Sequence, residues 1–142
     1  MFLIHPIFQF VGILIALYVM KLGISRFRML HLKKKTQFNW EHHVYLGLIA
    51  TTIWMIGIFG GLYTVKTYWY DLIITRDHAE VGLLMIPFIL FAIGSGLYMD
   101  WKKEKRTVLP LIHAISNTVM LLLALLQIYT GIVVYRTFVL CL

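Results

Sequence analysis

HHVYLGLIATTIWMIGIFGGLYTV, residues 42–65, runs for 24 residues without an aspartate, glutamate, lysine or arginine. About 20 such residues in helical form cross the hydrocarbon core of a bilayer. Working outward from this run, three more uncharged stretches appear at 1–20, 81–99 and 107–135. Continuous apolar runs do not fit a transmembrane barrel, whose strands alternate in polarity over about 10 residues. Only 13% of the 142 residues are charged and 61% are hydrophobic, too little charge to cover a soluble domain of this size. The expected fold is all-α: an integral membrane four-helix up-down bundle, with residues 1–142 as one domain. Its helices are expected at about 2–21, 39–66, 76–101 and 107–135. Short connections make antiparallel neighbours the default.

The formal charge of +7 is distributed as a topology signal. Lys21, Arg26, Arg28, Lys33, Lys34 and Lys35 lie between the first two spans, and Lys102, Lys103, Lys105 and Arg106 between the last two. These are ten of the 13 basic residues. The positive-inside rule places loops 21–41 and 100–106 in the cytoplasm and both termini on the other side, in the inner or plasma membrane if the source is bacterial. Anionic lipid headgroups, not nucleic acid, are the partner this charge implies. The apolar start lacks a basic leader and a small-residue cleavage motif, so it does not read as a removable signal peptide. Cys141 is the single cysteine, which excludes a disulfide within the chain and a C-x-x-C-H haem attachment site.

Six histidines occur: His5, His31, His42, His43, His78 and His113. His31 reads as a solvated residue of the basic connector. The others fall at helix starts, with at least one in every span. A histidine at headgroup depth is unremarkable when single. Four helices repeating the position are not. Eighteen residues after each candidate comes a glycine, pairing His5 with Gly23, His43 with Gly61, His78 with Gly96 and His113 with Gly131. Eighteen residues make five helical turns, so each glycine shares its histidine's face about 27 Å further on. Close helix packing alone accounts for glycines in general, but not for their fixed phase with histidine. His42 has Gly60 at the same spacing; His43 is preferred because His43 and Gly47 match His78 and Gly82. The corresponding positions after His5 and His113 hold Gln9 and Asn117, amides suited to a carboxylate or to backbone groups.

Helix direction assigns the partners. The first and third helices enter from the non-cytoplasmic side, so His5 and His78 share the outer level. The second and fourth run outward, so His43 and His113 share the cytoplasmic level. Two imidazole pairs suit two non-covalent haem b groups with bis-histidine iron, the glycines clearing space for a flat, bulky group. With both axial positions filled, such a site carries single electrons and has no place for oxygen.

His5-Pro6, Trp40-Glu41-His42-His43, His78-x-x-x-Gly82 and Leu111-Ile112-His113 leading to Gln127-Ile-Tyr-Thr-Gly131 together resemble the cytochrome b561 family over essentially the whole chain. The resemblance implies a short, prokaryotic-type member holding the four haem-binding core helices, with the first and third helices sharing one haem and the second and fourth the other. It implies transmembrane electron transfer, in several members from cytoplasmic ascorbate to an outer acceptor. Family ascorbate sites place lysines ahead of the second core helix's histidine and an arginine ahead of the fourth's. Lys34, Lys35 and Arg106 are available here, but Glu41 stands two residues before His43, where it would repel an anion. Quinol or a partner redox protein is therefore an equal expectation as electron partner. A haem-bearing anchor subunit exchanging electrons with quinone in a larger redox complex is the first rival reading, and a haem-free structural subunit the second. A homodimer is compatible with any of these. Transport is disfavoured because no acidic residue lies in mid-membrane.

Overall fold

The computed structural model describes residues 2–142. Four helices follow one another: α1 (Ile4–His31), α2 (Trp40–Trp69), α3 (Asp77–Trp101) and α4 (Val108–Val134), the last running into a π-helical turn at Tyr135–Val139. All four are long and apolar enough to cross a membrane. The chain is an all-α membrane bundle.

Helix ends follow local chemistry. Pro6 sits in the first turn of α1, where its missing N–H removes no helical bond. At the start of α2 the Asn39 side chain accepts a hydrogen bond from the His42 backbone N–H at 3.1 Å, satisfying one of the donors that every helix start leaves unpaired. Tyr70, in the left-handed conformation, ends α2.

The first helix corrects an expectation. The basic stretch after Lys21, expected as a partly helical connector, is continuous helix as far as His31. No proline interrupts that stretch, and Arg28 and His31 in the last turn favourably face the negative end of the helix dipole. Twenty-eight residues of helix extend about 42 Å, well beyond a hydrocarbon core of about 30 Å. The basic turns therefore project past the core while remaining helical. The connector proper is residues 32–39, and Lys21, Arg26 and Arg28 lie on the helix.

Each helix packs on two neighbours: α1 on α2 and α4, α3 on α2 and α4. Across the diagonals, α1 with α3 and α2 with α4, no Cα atoms come within 8 Å of each other. The bundle is a square with an open centre, filled at mid-height by Ile13, Trp54, Met85, Ile89, Met120 and Leu121. Trp54 is admitted because Gly12 lies beneath it; a Cβ there would come within 2.8 Å of the indole nitrogen. The outward faces carry large apolar side chains such as Phe10, Leu14, Phe59 and Leu122. Lipid, not protein, is their solvent.

Candidate functional site

Above and below that central plug the bundle axis is lined by imidazoles. His5 and His78 are second residues of α1 and α3, and His43 and His113 lie in the first two turns of α2 and α4. The His5 and His78 rings meet with centroids 6.2 Å apart and planes at 84°. His43 and His113 meet at 6.4 Å and 63°. Each pair is contributed by diagonal helices, the ones whose backbones stay apart. The first pair sits at the end with both termini and the 70–76 loop, the second at the end with the two basic connectors.

Three of the four histidines anchor Nδ1 on the neighbouring helix. His43 Nδ1 meets the Val19 carbonyl at 3.2 Å. A carbonyl only accepts, so Nδ1 carries the proton and Nε2 presents a bare lone pair. His113 Nδ1 lies 2.7 Å from Ser95 Oγ. The single Ser95 proton goes to the Phe91 carbonyl, so towards His113 the hydroxyl accepts. His78 Nδ1 lies 2.9 Å from Thr130 Oγ1, whose proton goes to Gln127 Oε1 at 2.8 Å. Gln127 Nε2 donates back to the His78 carbonyl at 2.9 Å, closing a three-residue ring of hydrogen bonds. His5 Nδ1 is directed at the Gly57 carbonyl but falls short of hydrogen-bond geometry. In the α1–α2 hairpin the anchor is the main chain four residues before the facing glycine. In the α3–α4 hairpin it is the hydroxyl immediately before it.

All four phased glycines face imidazoles, in a reciprocal pattern. A Cβ at Gly61 would lie 3.1 Å from His5 Cε1, at Gly131 3.3 Å from His78 Cε1, at Gly23 3.4 Å from His43 Cε1 and at Gly96 3.7 Å from His113 Cε1. This refines the expectation that these glycines clear space for a flat group: what each admits is the imidazole of the next helix. His42 is exposed and a Cβ at Gly60 would meet nothing within 4 Å, so His43 is the member of the doublet inside the bundle. His31 also departs from its expected place, lying in the last turn of α1 against Phe27 at 4.9 Å. Gln9 and Asn117 each bond a backbone carbonyl. Gln9 Nε2 donates to the Ile53 carbonyl at 3.3 Å, and Asn117 Nδ2 to the His113 carbonyl at 2.7 Å.

Around the second pair opens a cavity of about 1210 Å³, running from the basic end to a floor at Trp54 and Leu121. Ligand sites of about 300–1,000 Å³ are usual, so it has room for a large planar molecule. Arg26, Lys33, Lys103, Lys105 and Arg106 border it, against Asp100 and Glu104, and Glu104 is paired with Arg106 at 2.9 Å. Two aromatic contacts shape the rim. Phe38 sets its edge to His43 at 5.4 Å with the Arg26 guanidinium 5.5 Å from the phenyl centroid. Lys103 Nζ lies 4.0 Å from the Trp40 centroid. Phe38 is brought there because Thr36 Oγ1 donates to the Ser25 carbonyl at 2.8 Å, folding the connector back over α1.

Sequence reading missed Ser95, Thr130, Phe38 and the Gln127 ring. A signal existed for the first two: in α3 and α4 the phased glycine follows a hydroxyl residue, whereas Leu22 and Gly60 occupy that place in α1 and α2. Among the described residues no three or more His, Cys, Asp or Glu side chains converge; the imidazoles meet in twos. Comparison with family models, curated proteins and solved structures returns no match.

Proposed function

We propose that the chain is a di-haem b-type cytochrome that carries electrons from one face of the membrane to the other. The observation that carries this reading is the spacing of the imidazole pairs. A transition metal binds an imidazole nitrogen at about 2.0–2.1 Å and the ring centroid lies about 1.1 Å behind it, so two rings on opposite sides of one metal have centroids about 6.3 Å apart. The pairs stand at 6.2 Å and 6.4 Å. The donor set also fits: His43, His78 and His113 are anchored through Nδ1, which leaves Nε2 for a metal, the arrangement seen in most histidine ligands.

Haem b supplies a reversible one-electron couple whose potential its axial ligands and surroundings set. The rest is supplied by the chain. His5 with His78 would hold one haem iron and His43 with His113 the other. The cavity around His43 and His113 gives a planar group access to that pair, and the mid-height plug of Trp54, Met85, Ile89 and Met120 separates the two pairs with apolar side chains. The cations rimming the basic-end cavity suit the carboxylates of a porphyrin and an anionic or quinol reductant. Following the positive-inside rule, that end faces the cytoplasm and both termini lie outside.

Protein purified in mild detergent is expected to show a b-type reduced-minus-oxidised visible spectrum and two haems per chain, all extractable because none is covalently held. A preparation expressed with ample haem that remains colourless would reject the reading in favour of a structural membrane subunit.

A further inference from the structure

The two imidazole pairs are built by one rule with one variation. In each pair one ring leans on main chain, His43 on the Val19 carbonyl and His5 towards that of Gly57. The other leans on a side-chain hydroxyl, His113 on Ser95 and His78 on Thr130. Serine and threonine in membrane helices are commonly satisfied by the carbonyl one turn back, so neither hydroxyl needs an imidazole. Ser95 has that bond to Phe91 and Thr130 has Gln127 Oε1. Yet each also receives a ring nitrogen, at 2.7 Å and 2.9 Å, and each stands one residue before the glycine that the same ring touches. The same device occurs twice, on different helices and at opposite ends of the bundle. Ser95 is buried, so no solvent can replace it.

We propose that Ser95 and Thr130 are positioning residues that hold His113 and His78 as Nδ1–H tautomers with Nε2 turned to the bundle axis, each setting the ligand strength at one centre only. The inference rests on the reading of the pairs as axial ligands. A hydrogen bond accepted from Nδ1–H makes the imidazole more basic, and a more basic ligand favours ferric over ferrous iron. Removing the acceptor lowers that preference, so the potential of the affected centre rises. Gln127 acts behind Thr130: its Oε1 takes the hydroxyl proton and forces Thr130 to accept.

The test uses the full chain with Ser95→Ala, the near-isosteric Thr130→Val and the conservative Thr130→Ser. Redox titration of the wild type should resolve two couples. Ser95→Ala should raise one and Thr130→Val the other, each by about a tenfold change in ferric preference, or about 59 mV for a one-electron couple. Thr130→Ser should restore the second. Shifts in neither couple, or equal shifts in both, would overturn the assignment while leaving the haem reading intact. A second arm does not need haem: nitrogen-15 resonances of the histidine rings in cofactor-free protein should show His78 and His113 as Nδ1–H tautomers. The matching variant should convert one of them to a tautomer mixture. Unchanged tautomers in both variants would overturn the proposal even if the wild type binds no haem, an outcome that would separately reject the reading beneath it.

Discussion

Gly60 and Gly61 are neighbours in α2, and the structure assigns them opposite fates on substitution by alanine. At Gly60 an added Cβ meets nothing within 4 Å, so the change brings only the helix-propensity gain of about 0.8–1.0 kcal/mol. At Gly61 the Cβ lands 3.1 Å from His5 Cε1, closer than ordinary van der Waals contact, and the ring must move. Overpacking of this kind costs about 1–3 kcal/mol, which outweighs the propensity gain across most of its range. The ring that moves is the one opposite His78, so the loss falls on the centre at the end carrying both termini. A displacement worth about 1.4 kcal/mol lowers affinity there about tenfold. Gly96→Ala, with 3.7 Å of clearance to His113, should behave like Gly60→Ala. Thermal unfolding in detergent reads the stability change, and haem stoichiometry by visible spectroscopy reads the site. Gly60→Ala and Gly61→Ala perturbing the protein alike would refute the claim that these glycines exist to admit imidazoles.

Three further expectations follow from the same geometry. His43→Ala or His113→Ala should remove one haem and leave the other, measured as haem per chain; two haems retained in both would break the assigned basic-end pair. A Cβ at Gly57 would overlap the Gln9 amide. Gly57→Ala should therefore cost Gln9 its bond to Ile53, with a coupling of about 1 kcal/mol that disappears in a Gln9→Ala background in a double-mutant unfolding cycle. Cys141 is the lone cysteine and is exposed, so in intact cells or right-side-out vesicles it should react with a membrane-impermeant maleimide. Labelling only after permeabilisation would invert the proposed sidedness.

The architecture was legible because charge is costly in hydrocarbon: the uncharged run at 42–65 marks a span without any knowledge of its neighbours. The imidazole pairs were legible too, since helix direction alone decides which helix starts share a level. What the sequence concealed depends on contacts between helices. That Gly61 faces His5 needs the register of α1 against α2. The roles of Ser95 and Thr130 were not legible because their imidazole partners lie on the next helix. The full extension of α1 to His31 was not legible, because charge marks where the hydrocarbon ends and not where a helix that projects beyond it stops. Phe38 is placed by a connector folded through Thr36, a contact no periodicity announces.

Electron paramagnetic resonance of the oxidised, purified protein addresses most directly whether facing imidazoles clamp a metal at each end of the bundle. Two low-spin ferric signals of bis-imidazole type are expected, one disappearing in His78→Ala and the other in His113→Ala. A high-spin ferric spectrum from the wild type, or one low-spin signal indifferent to both substitutions, would contradict it.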